Sequence, residues 1–234
     1  MTKESDRIIK DINKELKKLT DVCVDEVSNR EFSKKSKLPY KLASFIYSMS
    51  WRMKECGEAA LMLIDCDMVY PSLTLIRCSL ENAGIMYSAS KILEEAVGLE
   101  ELPEDTDAKL MRLLFANKYW KEEQSEHDLE YRAERVATYI DAMDMDYPGV
   151  KKYYHYLCEF VHTNSDGVGQ SYSYLDEIND KTYYGPQLNE NHSLFPAFVI
   201  TLQLALTIYN NQVQFVNDNF EQFVILCDKS IDKQ

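Results

Sequence analysis

Arg77 and Glu81 stand four residues apart in LIRCSLENAG, inside a stretch from Tyr70 to Leu93 whose other residues are mostly apolar or small. On a helix that spacing brings guanidinium and carboxylate together on one face. A guanidinium so close to a core needs such a partner, and an arginine held this way can receive an anionic ligand or stabilise charge on a phosphate. The same pair can equally serve as a tie between helices, with no ligand at all. A second group, His155, Glu159 and His162 in KKYYHYLCEFVH, falls at i, i+4 and i+7, so one helix face carries three side chains able to converge on a metal. Glu159 and His162 form an ExxH, but di-iron bundles use two such motifs and two further glutamates, and no second ExxH is present. Cys158 lies four before His162, yet no spacing supplies the further ligands of a zinc site. The expectation is no metal and no cofactor. His162 then has two readings, a proton donor and acceptor near neutral pH or a histidine that caps the carbonyls of a helix end.

The elements that must position these residues are helices. Pro71 suits a first helical turn, and Leu73, Ile76, Leu80, Gly84 and Tyr87 recur at three- and four-residue steps, an inward stripe that makes 70–93 the organising helix. Before it, residues 3–28 carry a stripe of Ile8, Ile12, Leu16, Leu19 and Cys23, with lysines on the other faces. A basic connector follows at 29–38, and Pro39 opens a helix through Leu42, Ile46, Met49, Met53, Ala60 and Ile64, in which Gly57 marks a close approach. An acidic loop at 98–107 is expected to be exposed, and the charged run KEEQSEHDLEYRAER suggests two helices broken near residue 126. Pro148 starts the short aromatic helix that directs Tyr154, Leu157 and Val161 inward and carries His162 at its end. The polar segment from His162 to Ser193 is too long for an ordinary connection, and SYSYL with KTYY could pair as a small hairpin. The last helix runs from Leu194 to about Asp228, apolar on nearly every side at first and amphipathic later. The fold class is therefore all-α, a bundle of six or seven helices. Residues 1–38 form an N-terminal helix and connector packing on a core of 39–234, one domain overall.

Composition bounds the function. The 234 residues carry a formal net charge of -13, which argues against a broad nucleic-acid surface built on Lys and Arg. Residues 1–41 hold 11 Lys and Arg against 8 Asp and Glu, a balance of +3, so any basic surface belongs near the N-terminus and the rest carries -16. The six cysteines show no CxxC pairing and are read as small core residues in a reducing compartment. The first residues lack the apolar core of a secretory signal. The longest apolar run, Leu194 to Tyr209, is short for a bilayer and contains Pro196, Thr201 and Gln203. A cytoplasmic protein without membrane association is expected.

LIRCSLENAG on one helix and YLCEFVHTN at the end of another together resemble uncharacterised bacterial helical-bundle proteins related to the HEPN superfamily, over about residues 40 to 225. In that group an RxxxE helix and a helix ending in a V-H-x-N/S-like sequence recur. The resemblance implies a HEPN-like bundle, often a homodimer, and metal-independent RNA cleavage or nucleotide binding of bacterial defence or toxin type. HEPN ribonucleases place an arginine four to six residues before their histidine, where this chain has Tyr156, Leu157 and Cys158, so Arg77 would have to supply the cation from a neighbouring helix. On that reading His162 exchanges the proton, Arg77 stabilises phosphate charge and Glu81 orients Arg77. Asn164 adds a hydrogen bond, and Tyr156, His155 and Glu159 are the candidate binding residues beside them. The acidic composition favours a small or structured RNA, or a nucleotide, over long RNA. The alternative is a non-catalytic interaction or regulatory module. In it Arg77, Glu81 and His162 form a structural network, and the acidic surface meets a basic protein partner.

Overall fold

Helix-forming stripes at 3.6-residue spacing dominate the chain, and the computed structural model, which describes residues 3–115 and 133–232, is a helical bundle. Among the described residues it contains seven α-helices: α1 (Lys3–Val22), α2 (Leu38–Asp65), α3 (Val69–Leu99), α4 (Thr106–Phe115), α5 (Val136–Asp146), α6 (Val150–Val161) and α7 (Phe195–Asp232). A π-helical turn, Ser165–Gln170, follows α6. The hairpin expected from SYSYL and KTYY is present, with β1 (Ser173–Asp176) antiparallel to β2 (Lys181–Tyr184) and Ser173 opposite Tyr184. No helix among the described residues is long and apolar enough to cross a membrane.

Helix α3 occupies the centre, packed against α2, α4, α5, α6 and α7. Its expected stripe is buried in full, but burial extends around the helix to Ser72, Ser79, Asn82 and Ser90. Ser72, Ser79 and Ser90 can be buried because their hydroxyls bond carbonyls of their own helix, at Val69, Leu75 and Tyr87. The second spine is α7, 38 residues and so about 57 Å long, buried on most sides from Phe195 to Val216 and on one side beyond. The close approach expected at Gly57 is there: a Cβ on it would lie 2.7 Å from Leu16 Cδ2 and 3.6 Å from Leu206 Cδ2, at the junction of α1, α2 and α7.

Several boundaries differ from the sequence expectation. The first helix ends at Val22 instead of residue 28. The segment TDVCVDEV is rich in β-branched residues and aspartate, which weaken a helix. The acidic loop is not wholly exposed, because Leu102 packs against the core and Thr106 is buried, its hydroxyl bonded to Pro103 O. Val161 is half-buried, while Tyr154 and Leu157 point inward as expected. The break expected near residue 126 lies outside the described residues. Of the six cysteines only Cys227 is buried. Cys66 is exposed and Cys23, Cys56, Cys78 and Cys158 are half-buried, so they are not simply core filling.

Candidate functional site

The spacing of Arg77 and Glu81 sets their meeting on α3, where Arg77 Nε lies 2.9 Å from Glu81 Oε1 and the side chains are 24 % and 19 % exposed. Helix α6 brings Tyr154 across this pair. Its hydroxyl donates to Glu81 Oε1 at 3.3 Å, and its ring lies 5.6 Å beneath the Arg77 guanidinium carbon. Burial, then the Glu81 and Cys158 charges, push the Tyr154 phenol up to about 12, so it remains a donor. Burial works against the charge on Arg77, but Glu81, Cys158 and Tyr154 outweigh it and hold the guanidinium more firmly protonated. The outcome is a three-residue tie between α3 and α6, still open enough for water.

His162 stands elsewhere. It ends α6 in extended backbone, exposed, with its N–H bonded to Cys158 O at 3.0 Å. No hydrogen bond, ion pair or ring contact joins its imidazole to Arg77 or Glu81. Tyr154 and His162 are eight residues apart, about 12 Å along α6. Asn164, expected to contact a ligand, is engaged by the chain itself. Its Nδ2 donates to Glu159 Oε2 at 2.7 Å and its Oδ1 accepts from Gly167 N at 2.9 Å, capping the π-helical turn. Tyr156 packs among aromatics, edge-on to Phe160 at 5.2 Å and stacked near Phe198 at 6.1 Å. His155 is exposed, its ring beside that of Tyr154. The i, i+4, i+7 face of α6 does not close into a metal site, and among the described residues no three His, Cys, Asp or Glu side chains gather as one.

Two features escape the sequence reading. On α3 the residues next to the pair, Cys78 and Asn82, turn toward α2 and meet Arg52 and Cys56. Arg52 Nε donates to Asn82 Oδ1 at 3.0 Å and Arg52 Nη2 to Cys78 Sγ at 3.4 Å. Cys56 Sγ lies 3.7 Å from Cys78 Sγ. Residues 77, 78, 81 and 82 thus form one polar strip on α3, shared between α6 and α2. The only sequence signal was Cys78 and Asn82 repeating the four-residue step of Arg77 and Glu81 one position along. The second feature is a cleft of about 440 Å³ where the chain leaves α1. Val24, Asp25, Glu26 and Val27 form one wall, and Tyr40, Tyr47 and Trp51 of α2 form the other. Trp51 Nε1 donates to Val24 O at 3.0 Å and holds the walls together. Burial, then Glu31, push the Tyr47 phenol up. The i, i+7, i+11 spacing of Tyr40, Tyr47 and Trp51 on α2 was legible in principle, but not the unwinding of residues 23–28 that opens the cleft. No protein-family model, curated protein or solved structure matches this chain.

Proposed function

We propose that this chain is a cytoplasmic, non-catalytic helical binding module that takes a basic group of a protein partner into the cleft between Val24–Val27 and α2. The observation that carries this reading is the lining of that cleft: three aromatic side chains on one wall, Asp25 and Glu26 on the other, and no Lys, Arg or His. Aromatic faces and carboxylates together favour a cation, whether lysine, arginine or a small organic ammonium. The lysines nearest on α2 are paired away from it, Lys41 with Asp107 and Lys54 with Glu58, although Lys54 also lies 5.7 Å from the Trp51 ring. The net charge of -13 adds a long-range attraction for a basic partner. In a test, a short Lys- and Arg-rich peptide is titrated into a Trp120→Phe protein, so that Trp51 alone reports by fluorescence, against a peptide with its charges replaced by glutamine. Expected is saturable binding, weakened about tenfold in the Asp25→Asn/Glu26→Gln protein and by added salt. Equal binding of both peptides, or of one peptide to both proteins, overturns the reading.

Two observations favour the ribonuclease reading that the HEPN resemblance implies. Both terminal nitrogens of Arg77 have no hydrogen-bond partner among the described residues, and the His162 imidazole is exposed at a helix end. In that case RNA or a nucleotide phosphate meets Arg77, and a homodimer brings His162 of a second copy within reach. RNA cleavage by the wild type that disappears in a folded His162→Ala protein is the result that would establish it over the binding module.

A further inference from the structure

We propose that Cys56 and Cys78 are a peroxide-responsive dithiol, in which Cys78 is oxidised first and Cys56 closes on it as a disulfide between α2 and α3. The geometry is that of a pair poised for this step. The two sulfurs are 3.7 Å apart on neighbouring helices and both residues are half-buried, so a molecule as small as a hydroperoxide can reach them. A disulfide needs the sulfurs about 1.7 Å closer than they stand here. Arg52 supplies the cation that favours a thiolate, with Nη2 3.4 Å from Cys78 Sγ. Its direction is fixed by the Nε bond to Asn82, which is 1 % exposed. Asn82 Nδ2 in turn lies 3.9 Å from Cys56 Sγ.

Electrostatics separates the two roles. The hydrogen bond from Cys56 and the nearby Arg52 bring the Cys78 thiol down to about 6, against burial and the Glu81 carboxylate. That same hydrogen bond, then burial, push the Cys56 thiol up, so it stays protonated until Cys78 has reacted. The Cys78 thiolate attacks one oxygen of hydrogen peroxide and the O–O bond breaks. Hydroxide leaves and takes up the proton lost when Cys78 ionised, giving a sulfenic acid and one water. Cys56 sulfur then attacks the Cys78 sulfur and the S–O bond breaks. The departing hydroxide takes the Cys56 proton as a second water, so two thiols have lost two electrons and the peroxide has gained them. Oxidation removes the thiolate from beside Arg52 and staples α2 to α3.

The test treats the reduced protein with equimolar hydrogen peroxide and counts thiols before and after, with peptide mapping of the product. Expected is a fall from six thiols to four and a crosslink joining the peptides of Cys56 and Cys78. The Cys56→Ser protein should instead stop at a sulfenic acid on Cys78, trapped by dimedone. In the wild type at pH 6, Cys78 should react with iodoacetamide about tenfold faster than an ordinary thiol, with exposed Cys66 as the internal comparison. This last measurement holds whether or not the serine variants fold. A crosslink between other cysteines, oxidation confined to Cys66, or alkylation of Cys78 no faster than Cys66 overturns the proposal.

Discussion

Replacing Arg77 with alanine separates a sealed ion pair from an open one. A sealed pair that loses one partner costs roughly 3 to 5 kcal/mol, and a fully exposed pair contributes roughly 0 to 1 kcal/mol. Here both side chains are about a fifth exposed, and Glu81 keeps the Tyr154 hydroxyl at 3.3 Å when the guanidinium is gone. What is lost is one charged hydrogen bond, on the order of 1.5 to 3 kcal/mol, partly replaced by water. The expected cost is therefore about 2 kcal/mol, a fall of roughly 4 to 8 °C in melting temperature for a chain of this size. Tyr154→Phe removes the longer bond and should cost about 0.5 to 1 kcal/mol. The double variant leaves Glu81 with neither partner, so its cost should exceed the sum of the two single costs by roughly 0.5 to 1 kcal/mol. Urea unfolding followed by far-ultraviolet circular dichroism measures all three. A cost for Arg77→Ala below about 0.5 or above about 4 kcal/mol would refute this account of the pair, and strict additivity would refute the shared acceptor.

The remaining expectations concern packing. A Cβ at Gly167 would fall 1.9 Å from His162 O and 2.8 Å from Phe160 O, backbone atoms that cannot swing aside, so Gly167→Ala should cost about 3 kcal/mol or more and expose the amides of 165–170 to hydrogen exchange. Gly98→Ala, where no atom lies within 4 Å, should instead stabilise α3 by up to about 1 kcal/mol, and unchanged melting of both variants would refute the contrast. Tyr209 and Ser50 are fully buried with their hydroxyls 3.0 Å apart. Tyr209→Phe should cost about 1 kcal/mol and the Tyr209→Phe/Ser50→Ala protein no more, which denaturant midpoints will show or disprove.

Periodicity carried the reading furthest where one face is apolar. The stripe from Leu73 to Tyr87 located α3, and its unbroken small and apolar character marked it as central. The pairing of SYSYL with KTYY was legible because turn residues separate two short β-prone runs. What periodicity does not give is azimuth between helices. Arg77 and His162 share no contact because α6 presents Tyr154 to α3 and carries His162 two turns beyond. Cys56 and Cys78 lie 22 residues apart on separate helices, and only the register of α2 against α3 brings their sulfurs together. The end of α1 was misplaced because an apolar stripe continues through Cys23 while the backbone preferences of TDVCVDEV do not.

The packing of α1 sets an order on the chain's own assembly. Its stripe is covered mainly by α7, with α2 as the other neighbour, and Asn210 Nδ2 donates to Glu15 O at 3.0 Å and to Glu15 Oε2 at 2.7 Å across a separation of 195 residues. Ser33 and Asp228 are joined across the same span. On the ribosome, α1 emerges well before α7 and waits with much of its apolar face uncovered while the 195 residues from Glu15 to Asn210 are translated. At about 5 to 20 residues per second that wait is on the order of ten seconds or more. Closing so long a loop comes late in folding, so α1 is the element a chaperone would shield and the one whose docking completes the bundle.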